Sequence, residues 1–232
     1  MSLPIRKRHQ PKGVSILYDD NEIMVINKTA GLLTIGTDKE RIKTAYALLT
    51  DYVKKGNPKS KARLFIVHRL DQDTSGVLVF AKTETSKVTL QTNWDQNEKL
   101  YLALAHGHFS EEQGEYQNLL AENQALKVYV TTDPKVGKLC VTKYRRLEEF
   151  RGLSLLELNL VTGRKHQIRV QLANAGHPLF GDTRYGQPEK EAKRLGLHAK
   201  SIRFIHPKSG ESLYFEAPTP GIFQQMMGRK LL

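Results

Sequence analysis

Val67-His68-Arg69-Leu70-Asp71-Gln72-Asp73-Thr74-Ser75-Gly76-Val77-Leu78-Val79-Phe80-Ala81-Lys82-Thr83 sets a His-Arg-Leu-Asp tetrad and a Thr-Ser-Gly turn directly against an apolar run. The run from Val77 to Ala81 has the length and content of a buried strand. A turn packed with charged and hydroxyl groups at the mouth of a core strand is how a rigid scaffold usually presents a reactive side chain. Asp71 is the candidate for that side chain. Asp73, in the Asp-Thr-Ser-Gly turn, reads as a loop-capping carboxylate.

Upstream of the motif, Val14 to Tyr18 and Ile23 to Ile26 alternate as strands, and the Asp19-Asp20-Asn21 turn between them predicts a hairpin. Ile42, Ala45, Leu49, Tyr52 and Val53 recur at helical spacing, with Gly56 as the stop. The segment 54–63 then carries five basic residues and no acid. It is either a solvated loop or, because it leads on to the Asp71 turn, a contact for a phosphate backbone through Lys54, Lys55, Lys59 and Lys61. Downstream, Leu90 and Trp94 mark a helix from about 85 to 96, and Leu100 to Ala105 alternates as a strand. Residues 107–137 show little pattern and read as an irregular excursion with short strands. Lys138 to Leu147 and Leu153 to Val161 predict a strand pair, His166 to Ala175 a helix with Ile168, Leu172 and Ala175 inward, and 197–205 and 212–216 two closing strands. Many strands, few helices and no regular βαβ rhythm indicate an α+β fold.

The chain has 232 residues and a net charge of +12, from 36 Lys and Arg against 24 Asp and Glu. That excess favours a polyanionic partner, although a merely basic soluble protein has the same composition. A lone cysteine, Cys140, rules out an intramolecular disulfide and a multi-cysteine metal site, and a reducing compartment fits. No apolar run approaches a membrane span, and residues 1–13 carry Arg6, Lys7, Arg8 and Lys12 without the apolar core of a signal peptide. The expectation is a cytoplasmic protein, not membrane-bound, with a loose basic arm at 1–13 and one domain over 14–232.

A second dense stretch runs from Thr162-Gly163-Arg164-Lys165-His166-Gln167-Ile168-Arg169 to Gly181-Asp182. Gly163, Arg164 and Lys165 at a helix start gather positive charge where backbone N–H groups also point outward. Arg169 falls one position off the Ile168/Leu172 stripe, at the helix flank, from where a bidentate pair with Asp71 would keep that acid ionised. An ordinary structural ion pair has the same signature. Asp182 is expected to brace its own Gly-Asp-x-x-Tyr-Gly turn. His68, His166, His177 and His198 show no metal-ligand spacing, so no metal is expected, and His68 and His166 are read as fixing loops by hydrogen bonds.

The first of these stretches resembles the catalytic motif of the RluA family of RNA pseudouridine synthases, and Thr162–Asp182, through Tyr185-Gly186, resembles its second signature. Ser15–Leu32, Lys99 to Ala103 with Gly107, Leu197-His198-Ala199 and Phe215-Glu216-Ala217-Pro218 fall in the family order, so the likeness spans about 15–218. It implies a pseudouridine synthase fold, α+β, with a mixed, mainly antiparallel sheet, peripheral helices and a central active-site cleft. Asp71 then corresponds to the catalytic aspartate, Tyr101 to the active-site tyrosine and Arg169 to the arginine that pairs with the aspartate. Arg69 corresponds to the arginine that helps displace the target base. Beside these carried-over roles, His68, Thr74, Arg164, Lys165 and His166 are candidates for contact with the substrate RNA.

The reaction implied is conversion of uridine to pseudouridine in a stem-loop of ribosomal RNA, transfer RNA or both, without cofactor or metal, by a monomer. Two positions depart from the family pattern: Thr29 stands where proline is usual after Lys28, and Lys165 where a hydroxyl residue is common after Gly-Arg. With only about fourteen residues before the first matching strand, no separate RNA-binding module is expected. An RNA-binding or ribosome-assembly factor and a nucleoside-type glycosidase using Asp71 remain open as alternatives.

Overall fold

The computed structural model describes residues 10–36, 42–190 and 192–228. Residues 1–9 of the basic arm lie outside the described residues, whereas Gln10 is fixed by accepting the Ile16 N–H on its side-chain oxygen.

Along the chain, Val14–Asp19 (β1) and Ile23–Lys28 (β2) form the antiparallel hairpin expected from their alternation. Asp20 turns the corner by accepting the N–H groups of Glu22 and Ile23, both at 2.7 Å. Ala45–Lys54 (α1) starts at Thr44, whose hydroxyl accepts the Ala47 N–H, and ends with Lys55 in the left-handed region (φ 51°). Ile42 is not on this helix; it precedes the cap and is 77% exposed, because Thr44 starts the helix after it. Phe65–Ile66 (β3) pairs with Ser75–Ala81 (β4), all of whose residues are buried. Glu84–Thr92 (α2) is capped by Thr83. It stops short of Trp94, which lies in a separate 3-10 turn, Trp94–Gln96.

Glu98–His106 (β5) follows, and then comes the largest departure from the sequence reading. The supposed irregular stretch contains Gln113–Glu122 (β6), a regular strand of ten residues, and Val128–Thr131 (β7). Its first half alternates polar side chains outward with Tyr116 inward, so little apolar content marks it as a strand. Lys138–Phe150 (β8) and Leu153–Leu160 (β9) are joined by Arg151 (φ 50°) and Gly152 (φ 77°), a two-residue reversal with both φ positive. Gln167–Asn174 (α3), Leu197–Ile205 (β10), Ser212–Glu216 (β11) and a short helix, Gly221–Met226 (α4), complete the chain.

The chain divides into two compact units. The first comprises 1–97 and 201–217, with strand neighbours β1-β2-β4, β3 on β4, and the Ser201–Ile205 part of β10 paired with β11. Its core joins Ile23, Val25, Val77, Val79, Leu90, Ile202 and Phe204. The second comprises 98–200 and 218–232, with strand order β5-β9-β8-β6-β7. There α3 lays Ile168 and Leu172 on Ala103, Leu156 and Leu158. These pairings are all antiparallel, and the class is α+β as the sequence indicates.

Candidate active site

The Asp71 turn belongs to the first unit and is tied down from three sides. The Thr74 N–H donates to the Asp71 carbonyl at 3.2 Å, closing a tight turn with Gln72 and Asp73 at its centre. Just before it, the Thr34 hydroxyl donates to the Leu70 carbonyl (2.7 Å) and accepts the Leu70 N–H (3.2 Å). Just after it, the Gln72 carbonyl accepts the Gly31 N–H at 2.9 Å, while the Gln72 side chain returns a bond to the Gly31 carbonyl at 3.1 Å.

Beneath these contacts lies Lys28, fully buried, whose ammonium donates to the carbonyls of Thr29 (3.1 Å), Leu32 (2.7 Å) and Gln72 (3.0 Å). A buried ammonium is tolerated only when its hydrogen bonds are made, so this lysine welds the 28–32 loop to the Asp71 turn. Its neighbour in the β2–β4 register is Gly76, whose φ of 116° only glycine adopts without strain. Lys28 and Thr34 carry positioning roles that the sequence reading did not assign. A lysine closing an apolar strand and followed by Thr-Ala-Gly was the available signal.

Asp71 itself is half-buried and Arg69 is exposed. His68 accepts the Val79 N–H on Nε2 at 3.0 Å and stacks on Trp94 with centroids 4.3 Å apart. Its neighbours on the loop are thereby anchored to β4. Thr74 is buried at the base of the turn, and among the described residues its hydroxyl has no hydrogen-bond partner. Asp73 is not the cap expected of it: it is exposed at the centre of the turn, and the Asp71 backbone carbonyl closes the loop instead.

The basic segment is placed differently from its expectation. Phe65 registers on Ala81 and Ile66 on Phe80, so the chain runs antiparallel to β4 on its way to Asp71. Lys61 and Arg63 therefore sit at the end of β4 opposite the Asp71 turn. Lys54 ends α1, Lys55 caps it, and Lys59 and Lys61 are exposed on a succession of backbone turns.

In the second unit, Tyr101 on β5 is half-buried against the cluster that includes Leu158 and Ile168. Arg169 is buried rather than flanking, 6% exposed, because helix α3 has polar anchors on the side that would otherwise face water. Its Nε and Nη2 each reach a carboxylate oxygen of Asp182 at 2.8 Å. Burial works against ionisation of Asp182. The Arg169 hydrogen bonds and charge, with the N–H groups of Tyr185 and Arg184, outweigh it and hold the acid below the usual carboxylate range. Asp182 thus braces its turn as expected, accepting those two N–H groups at 3.0 Å, and grips Arg169 as well.

Tyr185 completes this cluster. Its ring lies 5.3 Å from the Arg169 guanidinium, and its hydroxyl meets His166 Nδ1 at 2.7 Å and accepts the Val128 N–H at 3.2 Å. His166 is left-handed (φ 53°) at the start of α3. Gln167 ties the preceding loop to β8, accepting from the Arg164 N–H and the Thr162 hydroxyl while donating to Thr142 and the Val141 carbonyl. Gln171, one turn on, accepts from Thr142 and donates to the carbonyls of Tyr116 and Cys140. Lys165 is ion-paired to Glu122. Ala175, expected inward, is exposed at the end of the helix.

Among the described residues no group of three or more His, Cys, Asp or Glu is placed to hold a metal ion. No helix is long and apolar enough to cross a membrane.

Comparison with known proteins places these features in a family frame. A family model described as RNA pseudouridylate synthase matches residues 22–174. The ribosomal large subunit pseudouridine synthase C of Buchnera aphidicola subsp. Acyrthosiphon pisum is 35% identical, over 91% of this chain and 69% of that protein. The ribosomal large subunit pseudouridine synthase D of Zymomonas mobilis subsp. mobilis is 34% identical, over 94% of this chain and 74% of its own length. Among solved structures, human RNA pseudouridylate synthase domain containing 4 superposes with a TM-score of 0.75 and 25% identity, covering 92% of each chain.

Proposed function

The chain belongs to the RNA pseudouridine synthases, a family of isomerases that convert uridine in RNA, and we propose that Asp71 is the carboxylate on which its reaction turns. The observation that carries this reading is the fixing of the Asp71 turn by Lys28, Thr34 and Gly31, inside the segment matched by the family. A reactive carboxylate has to be held still, and a loop anchored by a buried ammonium meets that need.

The chemistry follows from the bond that breaks. Cleaving the N-glycosidic bond gives the ribose oxocarbenium character, and an ionised carboxylate near the anomeric carbon acts as nucleophile or as electrostatic stabiliser. The freed uracil turns and rejoins the sugar through C5, after which C5 loses its proton. In this reading Arg169, oriented by Asp182, is the cation assigned to that carboxylate, and the Tyr101 phenol stacks on the flat base and takes part in the proton movement. Neither hydride nor phosphoryl group moves, so this reading requires no cofactor.

A target uridine inside folded RNA must be everted, at a cost of about a few kcal/mol that is least in a loop or bulge. Arg69, exposed two residues before Asp71, is suited to fill the vacated stack. His68, Thr74, Arg164, Lys165 and His166 shape the loops around the nucleotide. The net charge of +12 supplies the attraction for phosphates. The names of two relatives above point to ribosomal RNA as the substrate class; the reading adds a stem-loop target, transfer RNA as the second candidate, and action in the cytoplasm by a monomer.

Incubation of the purified protein with unmodified ribosomal and transfer RNA, followed by pseudouridine mapping, tests the reading. Isomerised uridines at one or a few loop positions support it. Released uracil would indicate a glycosidase, and unchanged RNA a binding factor.

A further inference from the structure

The first unit also holds a basic pocket that the reading above does not use. A pocket of about 310 Å³ is lined by Asn21, Val53, Lys61, Ala62, Arg63, Phe65, Lys82 and Thr83. Three of those residues are cations and none is an acid. Lys82 is committed to Asp19, 2.8 Å away, so its charge is already balanced. Among the described residues neither Lys61 nor Arg63 is ion-paired, and the Arg63 guanidinium lies 4.6 Å above the Phe65 ring. The pocket therefore combines two uncompensated positive charges, an aromatic plate that pre-sets one of them, and the Asn21 amide at the tip of the β1–β2 hairpin. Such a set matches a phosphodiester, for which arginine supplies a planar fork and lysine a point charge.

Its position gives the inference its content. Phe65 pairs with Ala81 at the last residue of β4, while the Asp71 turn feeds the first residue, Ser75. At about 3.3 Å per residue the strand separates the two by roughly 20 Å. Taking the roughly 3.4 Å axial spacing of phosphates along one strand of a duplex, that is about six nucleotides.

We infer that this pocket docks an RNA phosphodiester about six nucleotides from the target uridine, so that the enzyme measures the length of the helix flanking the modified loop. This rests on the RNA-modifying reading above and extends it to substrate selection. A short stem-loop would still fit the Asp71 site but would leave the pocket empty.

The experiment compares a full ribosomal RNA transcript with a stem-loop fragment trimmed to about four base pairs beside the modified loop, too short to reach the pocket, using wild-type protein, Arg63→Ala and Arg63→Glu. Arg63 is exposed, and turnover of the short fragment doubles as a check that each variant is folded. For the long transcript, Arg63→Glu is expected to raise KM and Kd about tenfold with kcat within about twofold, and Arg63→Ala to lower the slope of log Kd against log salt by about one. On the short fragment all three proteins should have the same KM. Equal losses on both RNAs, or no change on either, would overturn the inference. Saturable binding of inorganic phosphate that Arg63→Glu abolishes, with long-RNA binding unaltered, would also overturn it, marking a small-anion site instead. If the wild-type protein modifies neither RNA, the functional reading fails, whereas the Kd comparison between the two RNAs still decides the pocket.

Discussion

Arg169 and Asp182 form a fork-to-fork pair, two 2.8 Å bonds between side chains that are 7% and 0% exposed. The arginine is thus held in one rotamer by a carboxylate from the turn thirteen residues on, before any substrate arrives. Such a pair fixes geometry at some cost in desolvation, which is the trade a site accepts when a charge must point one way. Asp182→Ala is expected to destabilise the protein by about 3–5 kcal/mol, because it strands a buried guanidinium. Urea unfolding reads this directly. The double variant Asp182→Leu with Arg169→Met should regain much of that stability and none of the turnover; recovery of turnover would show that Arg169 is only a structural ion.

Lys28 makes a parallel case in the first unit. Lys28→Met keeps the length of the side chain but removes the donor to the carbonyls of Thr29, Leu32 and Gln72. Each carbonyl left without a partner in a buried setting costs about 1–3 kcal/mol, although Gln72 retains the Gly31 N–H. A drop of roughly 3 kcal/mol in unfolding free energy is expected, with a fall in kcat larger than any change in KM. A variant with normal kcat would show that the lysine does not position the Asp71 turn.

Glu149 is one source of acid sensitivity in the second unit. The Phe109 N–H, then the Arg146, His108 and Ser154 side chains, pull its exposed carboxyl down to about 2 against the desolvation that opposes them. A carboxylate depressed on folding stabilises the native state above its unfolded pKa and loses that contribution as pH falls through the folded one. The window runs from about 4.5 down to about 2. The Tm difference between wild type and Glu149→Gln should therefore be constant at neutral pH and shrink below about 4.5. A difference that grows on acidification would contradict the assignment.

The elements legible in the sequence were those whose signal is local. The β1–β2 hairpin, β4, β10 and β11 carry alternation or an apolar run bounded by Asx or glycine turns, and they form where expected. The strand β6 was not legible because most of its side chains in the first half are polar and exposed, so its order comes from pairing with β8 rather than from apolar periodicity. The buried flank of α3 was hidden for a related reason. Gln167, Arg169 and Gln171 look solvent-facing by type, yet each is buried because specific partners satisfy it. Likewise, nothing in the run from Lys54 to Arg63 announces that β3 turns it away from Asp71 toward the far end of β4. Pairing partners distant in sequence decide all three.

The proposed role of Asp71 makes the sharpest demand. Asp71→Asn keeps the size and most of the hydrogen-bonding capacity of the side chain but lacks the charge that would meet a developing oxocarbenium ion. Asp71→Ala removes both. The turn itself is held by backbone and by Lys28, Thr34 and Gly31, so neither change should disturb the loop. RNA affinity, spread over many phosphate contacts, is expected to stay within about threefold of wild type in both variants. Pseudouridine formation is expected to fall below detection, since loss of an electrostatic catalyst commonly costs at least about 10²-fold. Quantitative mapping of an RNA substrate after single-turnover incubation gives the answer. More than about one per cent of wild-type turnover in Asp71→Ala would exceed that bound and move the reaction to another side chain.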